Sequence, residues 1–243
     1  MEAKLARHYR FYLAPEDLCD AGRVRFSKRE SRHMLASLRV TSGDVVSATD
    51  GKGGLYRILV EDASGGVVSG RIQTSTCLAR PQPPVYLFQA LIRPARLELV
   101  VEKATELGVW TVSPVRASRS RGAVGPARLE RLRKTALEAM KQSMAAYVPS
   151  ITSPLSVEAG LEMLPEPGLT LAASGGKGDA PLKDALKAYR GGPIALWVGP
   201  EGGFDAAETG ALKDRGAIPF TLGPARLRSE TAAIVALGIL RSL

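Results

Sequence analysis

The chain has 243 residues, 45% of them hydrophobic, and a formal net charge of +9 from 33 Lys/Arg against 24 Asp/Glu. That length and apolar content suit one large or two smaller folded domains, and they exclude a disordered acidic or basic tail. No apolar stretch reaches the roughly 18–20 residues of a membrane-crossing helix, and the two cysteines (Cys19, Cys77) and two histidines (His8, His33) are too few and too scattered for a metal site.

The N-terminal MEAKLARHYRFYLAPEDL has no continuous apolar core, so no signal peptide is expected, and reduced thiols in a cytoplasmic setting follow. Charge is uneven along the chain. Residues 1–80 carry 13 Lys/Arg against 9 Asp/Glu, residues 81–150 carry 11 against 5, and the remainder 9 against 10. An excess of +10 over the first 150 residues is what a polyanion-binding surface needs. A solvated basic face with no partner would show the same count.

In chain order, Ser27 to Val40 (SKRESRHMLASLRV) reads as a helix. The stretch GDVVSATDGKGGLYRILVEDASGGVVSGRIQ then gives short alternating or β-branched runs cut by DG, GG and SGG turns, the pattern of a small antiparallel β-domain. ARPQPPV, Ala79 to Val85, holds three prolines in four positions and reads as a stiff linker. Beyond it strands alternate with helices. VYLFQALI is an apolar run, RLELVVEKATELG is helical with a stop at Gly108, and VWTVSPV is a strand.

Pro126 to Tyr147 is predicted as one long amphipathic helix. At about 100° per residue, Leu129, Leu132, Leu137, Met140 and Met144 share an arc, with Arg128, Arg131, Lys134 and Lys141 opposite. Arg133 falls on the apolar arc. LTLAA, IALWVG and IPFTLG are further strands, and DAAETGALKDRG and SETAAIVALGILRSL are helices after the last two. Continuous apolar strands between helices argue for an α/β fold with a parallel sheet covered on both faces.

Two strand–loop–helix units carry the chemistry. In WVGPEGGFDAAE the strand runs into a glycine turn and then a capping box, with Asp205 at the N-cap and Glu208 three residues on. Glu201, in the middle of that turn, is out of place in a phosphate-binding loop, which relies on backbone N–H groups and a lysine. No Walker-type motif occurs; Gly176-Lys177 has Leu171 where the first glycine should stand. Glu201 therefore faces a cationic or neutral ligand, or bonds neighbouring backbone N–H groups. In TLGPARLRSETAAIVAL, Ser229 is a candidate N-cap flanked by Arg228 and Glu230.

These two stretches, with RHMLASLRVTSGD, DGKGGLY, VVEKATELGV, and LEAMKQS followed by VP, closely resemble the ribosomal small-subunit (16S) rRNA uracil-N3 methyltransferase family of the SPOUT superfamily, over nearly the whole chain and in order. The resemblance implies an α/β SPOUT methyltransferase domain with a deep C-terminal trefoil knot, preceded by a small PUA-like β-barrel that grips RNA. The corresponding division is residues 1–78, a linker over 79–84, and 85–243. It implies a homodimer acting on 16S rRNA of the small ribosomal subunit, with no membrane and no metal involved.

The implied cofactor is S-adenosylmethionine, held by Ala172 and Ala173, by Gly199, Pro200, Glu201, Gly202 and Gly203, and by Leu222, Gly223, Leu227 and Arg228. Methylating N3 of uridine requires removing an imide proton and aligning nitrogen, methyl carbon and sulfur. Both histidines precede the linker, so Arg228 is assigned to charge on the uracil oxygens, and Glu230 either accepts the proton or orients the arginine. Arg119 and Arg131, matching family arginines, and Arg7, Arg10, His33 and Arg39 are the residues expected to face RNA. The chain departs from the family pattern at Asp205, where serine is frequent, at Ser229, where threonine is, and at Met144-Ala145, where many relatives have Gly-Arg. Rivals on the same residues are a SPOUT enzyme for another base or RNA, and an RNA-binding assembly factor without turnover.

Overall fold

The computed structural model describes residues 9–164, 166–174 and 178–243; Arg7, His8 and Gly176-Lys177 lie outside them. The chain divides into two compact units. One runs up to Arg80 and takes in Leu137–Val148; the other comprises Pro81–Ala136 and Pro149–Leu243. Among the described residues no helix is long and apolar enough to cross a membrane.

The first unit contains strands β1 (Phe11–Tyr12) and β2 (Arg23–Arg25), helix α1 (Lys28–Ala36), and strands β3 (Val45–Thr49), β4 (Gly54–Asp62) and β5 (Ser69–Cys77). The sheet order is β1-β3-β4-β5-β2. β3, β4 and β5 pair antiparallel as hairpins, as the turn signals between them require, and β2 adds antiparallel to β5. β1 departs from that expectation and lies parallel to β3. Alternate residues of these strands, with Phe26 and Met34, close an apolar core around Phe11, Val46, Ile58 and Val60. Ser27 caps α1, its hydroxyl accepting from the Glu30 N–H at 3.3 Å.

In the second unit the elements are β6 (Val85–Ala90), α2 (Pro94–Glu106), β7 (Thr111–Arg116), α3 (Pro126–Gln142), β8 (Ser150–Ile151), β9 (Leu155–Ser156), α4 (Val157–Met163), β10 (Leu169–Ala173), β11 (Ala180–Pro181), α5 (Leu182–Ala185), β12 (Ile194–Val198), α6 (Ala206–Asp214), β13 (Ile218–Thr221) and α7 (Ser229–Leu240). The sheet order is β11-β13-β10-β12-β6-β7-β8, with β9 also on β7, and every pairing is parallel. β12 is buried at all five positions, as a strand covered on both faces must be. Trp197 stacks on Phe88 with centroids 4.2 Å apart. Gly160 of α4 makes room for that pair, since a Cβ there would meet Trp197 at 2.7 Å.

The long helix is shorter than its apolar period predicts. α3 stops at Gln142, and Met144 takes a left-handed φ of 58° instead of continuing the helix to Tyr147. Its last turn and the residues that follow belong to the first unit. There Lys141, expected on the polar arc, is buried: its Nζ lies 2.6 Å from Glu30 Oε1 and 3.2 Å from Glu138 Oε1. Arg133, on the apolar arc, reaches out to the Ile151 carbonyl and keeps its head exposed.

Candidate active site

β10, β12 and β13 end at one level, because Ala173 lies in register with both Val198 and Phe220. Their following loops therefore emerge side by side at the carboxyl edge of the sheet, where open α/β sheets bind ligands. The three loops enclose a cavity of about 470 Å³, inside the roughly 300–1,000 Å³ usual for small-molecule sites. Ala172, Ala173, Gly199, Pro200, Glu201, Gly202, Gly203, Leu222, Gly223 and Leu227 line it; Arg228 and Glu230 do not. The floor is apolar, from Val198, Leu212, Ala217 and Phe220.

The glycine turn has its own internal logic. Gly203 adopts φ 71°, and its N–H closes the turn onto the Pro200 carbonyl at 2.8 Å. The capping box forms as the sequence indicates: Asp205 Oδ1 accepts from the Glu208 N–H and Glu208 Oε2 from the Asp205 N–H, each at 2.9 Å. Those backbone contacts hold the Asp205 carboxyl below its ordinary pKa. Glu208 Oε1 also accepts from the Ser118 N–H at 2.6 Å, tying the loop after β7 to α6.

Glu201 turns its carboxylate to a side chain rather than to the backbone. Arg96 of α2 donates to Glu201 Oε1 from Nη1 at 3.2 Å, and its Nε lies 3.4 Å from Glu230 Oε1. Glu230 is buried in the first turn of α7, so its charged partner is Arg96 and not Arg228. Arg228 is exposed at the N-cap.

Ser229 is consequently the first helical residue and not the cap. Its hydroxyl donates to the Gly199 carbonyl at 2.6 Å while accepting from Gln89 Nε2 at 2.9 Å. Arg226 donates to the Glu201 carbonyl at 2.8 Å, and Arg119 to that of Gly202 at 2.9 Å. Arg96 and Gln89 were absent from the sequence-based site, and Arg226 was present only as part of the loop Leu222 to Arg228, with no role of its own. Gln89 carried a signal as the polar residue in the apolar run VYLFQALI.

The remaining residues expected at RNA are dispersed. In the second unit Arg131 pairs with Glu98 at 2.8 Å and is otherwise exposed. In the first unit Arg10 donates to the Met144 carbonyl, and burial pulls its pKa down. His33 packs edge-on against Tyr9 and Phe11, with centroids at 4.7 and 6.1 Å. Arg39 is exposed just beyond α1, at φ 51°. Among the described residues no group of three or more His, Cys, Asp or Glu is placed to hold a metal ion.

A parallel sheet whose strand-end loops wall a cavity, with an acidic turn and no Walker-type motif, defines an α/β domain with a ligand site at its carboxyl edge. Residues 80–241 match the family described as the RNA methyltransferase domain. A ribosomal RNA small subunit methyltransferase E of Mycobacterium bovis is 33% identical over 216 residues, covering 86% of this chain and 82% of its own. The ribosomal RNA small subunit methyltransferase E of Neisseria gonorrhoeae, solved with S-adenosylmethionine bound, superimposes with a TM-score of 0.84 at 26% identity, over 97% of each chain. A Legionella pneumophila protein, also solved with that cofactor, shares the fold, with a TM-score of 0.85 at 24% identity over 97% of this chain and 98% of its own. The chain belongs to the ribosomal RNA small subunit methyltransferase E family.

Proposed function

We propose that the chain transfers the methyl group of S-adenosylmethionine to N3 of one uridine in 16S rRNA. The observation that carries this reading is the convergence of three strand-end loops on one cavity lined by loop residues, apolar side chains, hydroxyls and the charged Glu201, Lys213 and Arg226. Those features suit a ligand that offers the flat faces of an adenine, ribose hydroxyls and a zwitterionic sulfonium amino acid, and no phosphate. When bound, it supplies an activated methyl group. The loop ends of β10, β12 and β13 hold it, Ser229 fixes the Gly199 carbonyl, and Arg226 fixes that of Glu201.

Glu230 takes the imide proton. Bound there, S-adenosylmethionine would supply the methyl carbon to the nitrogen lone pair freed by that deprotonation, its sulfur keeping the carbon–sulfur pair as a neutral thioether. Arg228, exposed at the head of α7 beside Glu230, stabilises charge on the uracil oxygens. Extruding the base from a duplex costs a few kcal/mol, so an unpaired uridine is the preferred target.

The reading extends to a PUA-like first unit, a trefoil knot, a homodimer and a cytoplasmic setting. Support for the knot is topological. β13 lies beyond β10 from β12, yet α7 packs on α2 and β12, so Leu222–Arg228 must cross back over the strand ends, where Arg226 meets the Glu201 loop.

The test offers labelled S-adenosylmethionine with small subunits from a strain lacking the modification, followed by nucleoside mapping. Wild type should give 3-methyluridine at one site. Glu230→Ala should lower kcat by about 10²–10⁴-fold and Arg228→Ala by about 10²-fold. Cofactor binding without transfer to subunits or naked rRNA would mean another substrate.

A further inference from the structure

Four buried side-chain oxygens have no hydrogen-bond partner among the described residues. One is the Tyr9 hydroxyl; the others are Gln89 Oε1, Glu201 Oε2 and Glu230 Oε2. Buried acceptors are almost always satisfied, so three near one another call for a reason. All three residues belong to the connection between the first turn of α7 and the Gly199–Gly203 loop. One branch runs from Gln89 through Ser229 to the Gly199 carbonyl. The other runs from Glu230 through Arg96 to Glu201.

In the second branch Arg96 uses different edges of its guanidinium for the two carboxylates, which a lysine cannot do. Each carboxylate keeps one oxygen unpaired, and one guanidinium against two carboxylates leaves a negative charge in excess. Glu230 is only 9% exposed at its side chain. The amino end of α7 offsets part of its charge, and a donor brought by a ligand would satisfy its free oxygen.

We propose that Arg96 is a positioning residue for methyl transfer. It fixes Glu230 with one buried oxygen left unpaired, and it ties that carboxylate to the Gly199–Gly203 loop through Glu201. This rests on the reading of the site given above. Uracil presents an imide N–H between two carbonyl oxygens, which matches a carboxylate acceptor set among guanidinium donors. Arg96 touches neither base nor cofactor in this scheme; it acts through Glu230 and Glu201.

The experiment is a double-mutant cycle of Arg96→Ala with Glu201→Gln, read twice: as steady-state methyl transfer to small subunits, and as S-adenosylmethionine affinity by calorimetry without RNA. Arg96→Ala should lower kcat by about 10²-fold while KM for the subunit changes less than about threefold. Added guanidinium should restore part of the rate. Glu201→Gln should cost far less in the Arg96→Ala background than alone, in both readouts. Should Arg96→Ala fail to fold, Arg96→Lys carries the test, with a kcat loss of about tenfold at unchanged KM. Additive losses, a loss confined to KM, or full kcat in Arg96→Ala or Arg96→Lys would overturn the proposal. Absence of transfer by wild type would count against the rRNA reading instead, and the affinity cycle would still decide whether Arg96 links to the cofactor loop.

Discussion

Met144 shows how one backbone angle can carry a measurable energy. The residue follows the end of α3 with φ 58°, in the left-handed region that an L side chain enters at a cost of roughly 1–2 kcal/mol. Helices commonly end on a glycine in that conformation, because it has no Cβ to clash. Met144→Gly should therefore stabilise the first unit by about 1 kcal/mol, after allowing for the greater freedom glycine gains when unfolded. The Arg10 contact is to the Met144 carbonyl and survives the change. Chemical denaturation of the two proteins tests this, and a lower midpoint at unchanged slope would refute it.

Among the elements, α3 departs most from what its periodicity promised. An apolar stripe every third or fourth residue says that a helix buries one face, and it says nothing of where the helix ends or what its polar residues meet. Lys141 lies opposite the stripe yet is buried because Glu30 stands 2.6 Å away, a partner 111 residues distant that no local pattern reveals. Removing one member of a buried pair typically costs about 3–5 kcal/mol, since it strands the other charge. Lys141→Met should fall in that range. Lys141→Met with Glu30→Leu should cost less than the single change, although the Tyr12 N–H then loses its acceptor.

Burial acts to lower the Lys141 pKa, but the hydrogen bond and charge of Glu30, helped by Tyr9 and Glu138, outweigh it, and the net direction is upward. A lysine whose folded pKa is raised contributes stability that is intact below the unfolded value and is lost as pH climbs through the folded one. Melting temperature should therefore drop on raising pH beyond about 10.5, and drop less in Lys141→Met. By contrast β10 and α6, which need only local apolar runs and a capping box, appear with bounds close to those the sequence indicates.

At the scale of the whole molecule, the units change over beside the proline cluster, at Arg80 and Pro81, and again at each end of Leu137–Val148, a stretch of the first unit that no linker or change of period marks in the sequence. The cavity was legible as its glycine loops; the arginines that pin them were not, since Arg96 reaches Glu201 across 105 residues. Charge was legible only as a sum. The +10 carried by residues 1–150 makes rRNA affinity a salt-dependent quantity, because each neutralised phosphate releases counterion and adds about −0.7 to −0.9 to the slope of log K on log salt. The structure separates arginines that sum treats alike. Arg39 is exposed, whereas Arg10 is half-buried and engaged with the Met144 carbonyl. Arg39→Ala should therefore reduce the salt slope of binding to small-subunit rRNA by about 1 while leaving stability within about 0.5 kcal/mol. Arg10→Ala should do the reverse, lowering stability and leaving the slope nearly unchanged. Affinity for S-adenosylmethionine should vary less over the same salt range in all three proteins, since neither Arg39 nor Arg10 lines the cavity. Filter binding and calorimetry from 50 to 200 mM salt check both halves, and equal slopes for wild type and Arg39→Ala would remove Arg39 from the RNA surface.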